Sequence, residues 1–186
     1  MHPDGTLARL LATISRAGRV LAALSTALVL AGCSAELDWR ELYWEDAKLK
    51  VMLPGKPAKA ARDVVLGGEK LSMQMLQTQI TGMAFGIAYA PLPPGDPSAL
   101  LPLARDALLR NIEGTLLTER EVDVRGAATK GREFTGEGVV AGTPMLVAAR
   151  VVAANGRFYQ VVFVGRKDRA ERVDLPLYLG SLTLMP

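Results

Sequence analysis

The sequence is almost free of histidine and cysteine. Among its 186 residues there is one histidine, His2, and one cysteine, Cys33. Without a second cysteine the chain forms no internal disulfide, although an oxidising compartment would permit one. Without imidazole beyond residue 2 it has no Ser-His-Asp or Cys-His arrangement to activate a nucleophile, and no zinc site of the usual type. We therefore expect no enzyme activity, no metal and no cofactor.

The chain also lacks a strong charge of one sign. Its 22 basic and 19 acidic residues give a net charge of +3. Residues 1–32 contain Arg9, Arg16, Arg19 and Asp4, so removing these three positive charges and one negative charge leaves a net +1. No cluster of lysine and arginine with interleaved aromatic residues remains, which excludes a nucleic-acid partner.

Residues 1–32 are predicted to be a signal peptide. The three arginines precede an uncharged apolar run from Val20 to Ala31, which at roughly 12 residues is shorter than the ~20 needed to cross a bilayer as a helix. The run ends in Leu30-Ala31-Gly32-Cys33. This segment resembles the lipobox of bacterial lipoproteins, in which signal peptidase cuts before a cysteine that receives a diacylglyceryl group.

The lipobox resemblance implies that Leu30, Ala31 and Gly32 are recognised by the peptidase and that Cys33 becomes the lipidated first residue. Several acyl chains on one residue anchor a protein stably to a membrane. Residue 34 is serine, whereas aspartate at that position retains well-studied enterobacterial lipoproteins at the inner membrane. We expect a protein anchored in the cell envelope and facing the periplasm, with the outer membrane favoured over the inner.

Two segments follow the predicted cleavage point. Residues 33–46 are predicted to be a lipidated tether, acidic in composition, whose aromatic residues pack on the edge of the domain: Trp39, Tyr43 and Trp44. Residues 47–186 are predicted to form a single domain, and this length is sufficient to bury an apolar core.

The domain is predicted to have an α+β fold. Runs of alternating apolar residues indicate strands, and Asn155-Gly156 indicates a tight hairpin between two apolar strands, expected to be the central pair. Apolar residues at helical spacing after Leu100 predict one amphipathic helix, which we expect to become regular only around Pro102. Because the strands occur in runs, we expect an antiparallel sheet of about six or seven strands with helices packed across it.

Short motifs accompany this order of elements. They are Leu53-Pro54-Gly55-Lys56-Pro57, Gly131-Arg132-Glu133-Phe134, Ala149-Arg150-Val151, Gly156-Arg157-Phe158-Tyr159-Gln160 and Leu179-Gly180-Ser181-Leu182. The arrangement resembles small exported bacterial proteins of the PsbP-like α/β/α-sandwich class, which includes DcrB-like lipoproteins. The resemblance spans most of residues 47–184 and implies a PsbP-like sandwich. Members of this class are mostly protein-binding or assembly factors, and the class has no catalytic motif to transfer.

Four charged residues form the candidate polar site: Arg132, Glu133, Arg150 and Arg157. They fall on neighbouring predicted strands, where they can form structural ion pairs across the sheet. The alternative is a patch that binds an anion or a partner.

Two other groups are expected to be structural. Glu119, Glu121 and Asp123 share one strand face, and such a row is typical of a solvated surface. The methionines at inward strand positions are expected to lie in the core: Met73, Met75, Met83 and Met145.

These observations favour a lipid-anchored, non-catalytic binding or assembly module of the cell envelope, with the membrane and another envelope protein as partners. The alternative function is a histidine-independent envelope hydrolase that uses carboxylates such as Glu133.

Overall fold

The computed structural model of the protein describes residues 37–186, which contain ten strands and three short helices. The strands are β1 (Trp39–Trp44), β2 (Leu49–Pro54), β3 (Ala58–Leu66), β4 (Glu69–Ile80), β5 (Met83–Pro91), β6 (Thr115–Val122), β7 (Gly131–Val140), β8 (Thr143–Ala154), β9 (Arg157–Arg166) and β10 (Thr183–Leu184). The helices are α1 (Leu100–Arg110), α2 (Lys167–Ala170) and α3 (Leu175–Gly180). No helix in this part of the chain is long and apolar enough to cross a membrane.

The larger sheet has seven antiparallel strands in the order β3-β4-β5-β9-β8-β7-β6. The β8–β9 hairpin lies near its centre, and Asn155 and Gly156 both have the positive φ that its two-residue turn requires. At the β6 edge, a bulge between Leu116 and Thr118 interrupts the pairing. The predicted α+β class, an antiparallel sheet of seven strands and the hairpin are confirmed, whereas the separate three-stranded sheet was not predicted.

A smaller sheet in the order β1-β2-β10 joins the two ends of the described chain. Residues 39–44, which the sequence analysis placed in the tether, form β1 and pair with β2 from Trp39–Pro54 to Trp44–Leu49. Trp39, Leu42 and Trp44 pack against the core. The intervening Arg40 and Glu41 are exposed and concealed the strand in the sequence. Tyr43, which was also expected to pack on the domain, is 50% exposed.

The two faces of the large sheet bury different cores. The smaller sheet and α3 cover one face, where Phe85, Tyr159, Phe163 and Tyr178 are almost fully buried. Helix α1 packs on the other face, where Phe134 and Phe158 are buried among leucine, valine and alanine side chains. These layers explain why β8 and β9 are apolar on both sides.

Helix α1 follows a 3-10 turn, Pro97–Ala99, which the Asp96 carboxylate caps at the Ser98 N–H (2.9 Å). The regular helix begins at Leu100, whereas the sequence predicted a regular helix only from around Pro102. Proline is tolerated there because the first four N–H groups of a helix have no intrahelical acceptor.

Helix α1 crosses the large sheet from β3 to β7. Near its start Leu103 lies over Gly67, and near its end Leu109 lies over Gly136. Gly138 lets the chain after the helix approach closely, since a Cβ there would stand 2.0 Å from the Ile112 carbonyl oxygen. Crossing obliquely, the helix leaves one part of this face open over β6–β7 and another over β4, β5 and β9.

Candidate functional site

Cys33 and the peptidase-recognition residues Leu30, Ala31 and Gly32 lie outside the described residues. Lipidation at Cys33 therefore stays a prediction from the sequence.

Glu133 lies at the centre of a charge cluster in which Arg150 is buried and Arg120 is exposed. On β7 it faces Arg120 of β6 and Arg150 of β8. The Nε atoms of Arg120 and Arg150 donate to its two carboxylate oxygens at 3.0 and 2.9 Å, and both guanidinium groups add a second short bond. The side chains of Glu133 and Arg150 are only 11% and 10% exposed.

The electrostatics keep Glu133 ionised. Burial alone would raise its pKa, but the hydrogen bonds and positive charges of Arg120 and Arg150 outweigh burial and hold the pKa below the ordinary 4.5. A general acid in glycoside hydrolysis needs a raised pKa. With both oxygens already bonded, this carboxylate suits a structural role, and nothing in the described residues supports the hydrolase alternative.

The structure does not bring the four candidate polar residues together. Arg132 lies on the opposite face of β7, where its Nη1 is 3.5 Å from Glu119 Oε1. Arg157 donates to the Asp46 carbonyl oxygen (2.7 Å) and stacks 5.2 Å from the Tyr89 ring centroid. Arg120 was not among the candidate residues, because its role depends on the β6–β7 register.

The acidic row on β6 is only partly solvated. Glu121 and Asp123 are exposed, but the Glu119 side chain is 15% exposed and accepts a 2.7 Å bond from Arg105 Nη1 of α1. The surface around Glu119 is therefore polar. Among residues 37–186 no three histidine, cysteine or acidic side chains are grouped to hold a metal ion.

The second open region is an apolar groove of about 410 Å³ between α1 and strands β3, β4, β5 and β9. We call it the α1 groove. Its floor is formed by alternate small residues of β5, and its helical wall by small and apolar residues of α1. The principal lining residues are Ala84, Gly86, Ala88, Met75, Gln77, Gln160, Val162, Val164, Ala104, Ala107, Leu108, Asn111, Arg62 and Val64.

The α1 groove has the size and lining of a small-molecule site, since such pockets measure ~300–1,000 Å³ and are mostly apolar with a few polar groups. Met73 and Met83 are buried as predicted, whereas Met75 and Met145 are only partly buried. Met73 and Met75 both line the groove. The only sequence signal for the groove was the row of alternate small residues in β5, Ala84, Gly86 and Ala88. That row does not predict a groove unless the path of α1 over the sheet is known.

Another depression, of about 460 Å³, lies beside Lys48, Arg157 and residues 184–186. It is more open to solvent than the α1 groove, and Arg157 is already engaged by Asp46 and Tyr89. We therefore regard the α1 groove as the better site.

No family model and no curated protein matches the chain. Among solved structures, cyanobacterial PsbP (CyanoP) from Synechocystis sp. PCC 6803 is similar at a TM-score of 0.55 and 11% identity, covering 83% of this chain and 96% of that one. LpqN of Mycobacterium tuberculosis, described as involved in cell envelope biogenesis, is similar at a TM-score of 0.45 and 16% identity, covering 80% of this chain and 79% of that one. A Pseudomonas aeruginosa protein of unknown function is similar at a TM-score of 0.41 and 10% identity, covering 72% of this chain and 87% of that one. The CyanoP likeness establishes a PsbP-like fold.

Proposed function

We propose that this protein is a lipid-anchored, non-catalytic binding module of the cell envelope and that the α1 groove is its binding site. The observation that carries this proposal is the groove itself: an apolar cleft on a sheet face that α1 covers only in part. An apolar cleft gains binding free energy mainly by removing apolar surface from water.

A non-catalytic role is supported by the chemistry of the groove. Its polar groups are the amides of Gln77, Gln160 and Asn111 and the guanidinium of Arg62. Asp63 also borders it, but its carboxylate accepts from Ser72 (2.6 Å) and pairs with Lys70 (2.7 Å). None of these groups is a free nucleophile beside a base.

The anchor is tested by intact-mass measurement and membrane fractionation of the chain expressed in a bacterium. We expect a diacyl or triacyl mass on a chain that begins at Cys33, and loss of that mass in Cys33→Ala. Ser34→Ala, one residue further on, should remain lipidated. An unmodified wild-type chain in the cytosol would contradict the anchor.

The site is tested by photocrosslinking in intact cells. A benzoylphenylalanine replaces Asn111, which lines the mouth of the groove, or Arg110, an exposed neighbour that does not line it. We expect one reproducible adduct from position 111 and none from position 110. If the two positions give the same adducts, or neither gives any, the α1 groove is not the binding site.

A further inference from the structure

The tip of the β7–β8 hairpin exposes an apolar surface. Residues 138–149 contain no charged side chain, and Val139 and Val140 are exposed where the hairpin turns. Leu116 and Leu117 are exposed at the adjoining start of β6. We call these four side chains the apolar tip. They are four of the seven large apolar side chains exposed in the part of the chain that the structure describes, and such clustering marks an interaction surface.

Strand β1 shows at which end of the molecule the described chain begins. The Trp39 ring lies 5.6 Å from the ring of Phe85, near the start of β5. The Trp44 ring lies 5.0 Å from that of Tyr89, near the end of β5. Strand β1 therefore runs in the same direction as β5, and Leu37 lies at the end of the molecule where β5 begins.

The register of the large sheet places the apolar tip at this same end. Met83 begins β5 and is paired with Gly165 of β9, which is paired with Leu146 of β8. Leu146 is paired with Glu137 of β7, and the hairpin continues beyond that pair to its turn after Val140. The turn of the β8–β9 hairpin lies at the opposite end of the sheet.

The predicted lipid is attached close to this end. Cys33 precedes Leu37 by four residues, and four extended residues span at most about 14 Å. The 12 residues of β8, at ~3.3 Å each, put the opposite end of the sheet about 40 Å away. An anchor at Cys33 therefore keeps the end that carries the apolar tip at the bilayer surface.

The charges beside the apolar tip are balanced. Lys167 Nζ lies 2.6 Å from Glu137 Oε1, and Arg166 Nη2 lies 2.9 Å from Asp168 Oδ2. These pairs leave no excess of positive charge to attract anionic lipids. Contact with a bilayer would therefore depend on apolar area rather than on lipid charge.

We propose that the apolar tip inserts into the interfacial region of the bilayer to which Cys33 is anchored. This inference rests on the proposed function, because the anchor brings the tip to the membrane. Valine and leucine side chains gain free energy when they leave water for the boundary of the acyl chains. A second point of attachment fixes the orientation of the domain on the membrane, which a lipid on one residue does not.

The test couples the mature chain to phosphatidylcholine vesicles through Cys33, its only thiol, with a maleimide lipid. An environment-sensitive fluorescent amino acid replaces Val140 or, as the control, Val65. Val65 is 63% exposed but lies beside the β3–β4 turn, at the opposite end of the sheet. At position 140 we expect blue-shifted emission and several-fold stronger quenching by lipids brominated in the acyl chains than at position 65. Added phosphatidylglycerol should leave both readings unchanged.

Two variants separate insertion of the tip from the affinity of the probe itself for lipid. With the probe at position 140, Val139→Ser combined with Leu117→Ser should reduce the quenching several-fold, because fewer apolar side chains enter the bilayer. Val65→Ser, the same kind of replacement at the opposite end, should leave it unchanged. All three side chains are exposed, so each variant should keep the circular dichroism spectrum of the parent chain.

Equal emission and quenching at positions 140 and 65, or undiminished quenching in the double variant, would overturn the membrane contact. Acylation of Cys33 in the bacterium would then leave the proposed anchor standing. A benzoylphenylalanine at position 140 that forms a protein adduct in cells, without quenching on vesicles, would assign the apolar tip to a polypeptide partner instead. An unmodified Cys33 in the bacterium would overturn the anchor, and with it the membrane contact in the cell.

Discussion

At the scale of single residues, the most consequential contact is that of Glu133 with Arg150. Burying two charges costs desolvation energy, which their attraction and hydrogen bonds repay only when both partners are present. We expect Glu133→Gln to lower the free energy of unfolding by about 3 kcal/mol, because it leaves Arg150 buried without a counter-charge. Urea denaturation measures this change.

The control for that variant is Asp123→Asn. Asp123 pairs with Lys130, but the side chains are 87% and 57% exposed. Solvent screens such a pair, so the urea midpoint should not move measurably. Equal losses in the two variants would show that burial of the Glu133–Arg150 pair does not determine its contribution to stability.

The lowered pKa of Glu133 has a consequence for acid stability. A carboxyl whose pKa is lower in the folded protein stabilises the fold above its unfolded-state pKa, ordinarily 4.5, and loses that contribution as the pH falls through the folded value. The stability gap between wild type and Glu133→Gln should therefore be constant from about pH 7 to 5 and narrow below about pH 4.5. Denaturation across this range measures it; a gap that widens in acid would contradict the assignment.

At the scale of elements, the docking of α1 depends on glycines of β7. Gly138→Ala would place a methyl group against the backbone carbonyl of Ile112, which cannot move without shifting the end of the helix. We expect a loss of about 1–3 kcal/mol in thermal or urea unfolding.

Gly86→Ala is the matched control on the same face of the same sheet. Its new Cβ meets no atom closer than 3.7 Å, and alanine costs less backbone entropy than glycine in a strand. We expect unchanged stability or a gain of about 0.5 kcal/mol. Destabilisation equal to that of Gly138→Ala would mean that glycine is needed in these strands for a reason other than close approach.

Elements defined by local signals were predictable. Asn155-Gly156 marks a turn by backbone preference alone, and the apolar spacing after Leu100 marks a helix. Strand β1 was not predictable, because the exposed Arg40, Glu41 and Tyr43 lie between its core-packed residues and its partner strand lies beyond a turn. The Glu133 cluster was half-predicted: Arg150 was identified, but Arg120 depends on a register that begins beyond a bulge.

At the scale of the whole molecule, β1 belongs to the folded unit, which begins at Leu37. A chain that begins at Leu37 should unfold in one cooperative transition. A chain that begins at Ala47 loses Trp39 and Trp44 from the aromatic core and should lack that transition. Near-UV circular dichroism during heating distinguishes them, and a cooperative transition in the shorter chain would restore residue 47 as the start of the domain.

The α1 groove could not be predicted, because no local pattern contains it. It exists because α1 crosses the sheet obliquely, and that path is set by close approaches at Gly67 and, much later in the sequence, at Gly136 and Gly138. Sequence patterns indicate which face of an element is apolar. They do not indicate how much of that face a neighbouring element will cover.

The smaller sheet also determines the order in which the chain can fold. Strand β10 pairs with β2, and the Ser181 hydroxyl accepts from the Met52 N–H across a separation of 129 residues. The first part of the described chain thus completes its sheet only when the last residues arrive. Contacts so distant in sequence slow folding, so we expect refolding on the millisecond-to-second scale, with β1 and β2 secured after the β8–β9 hairpin.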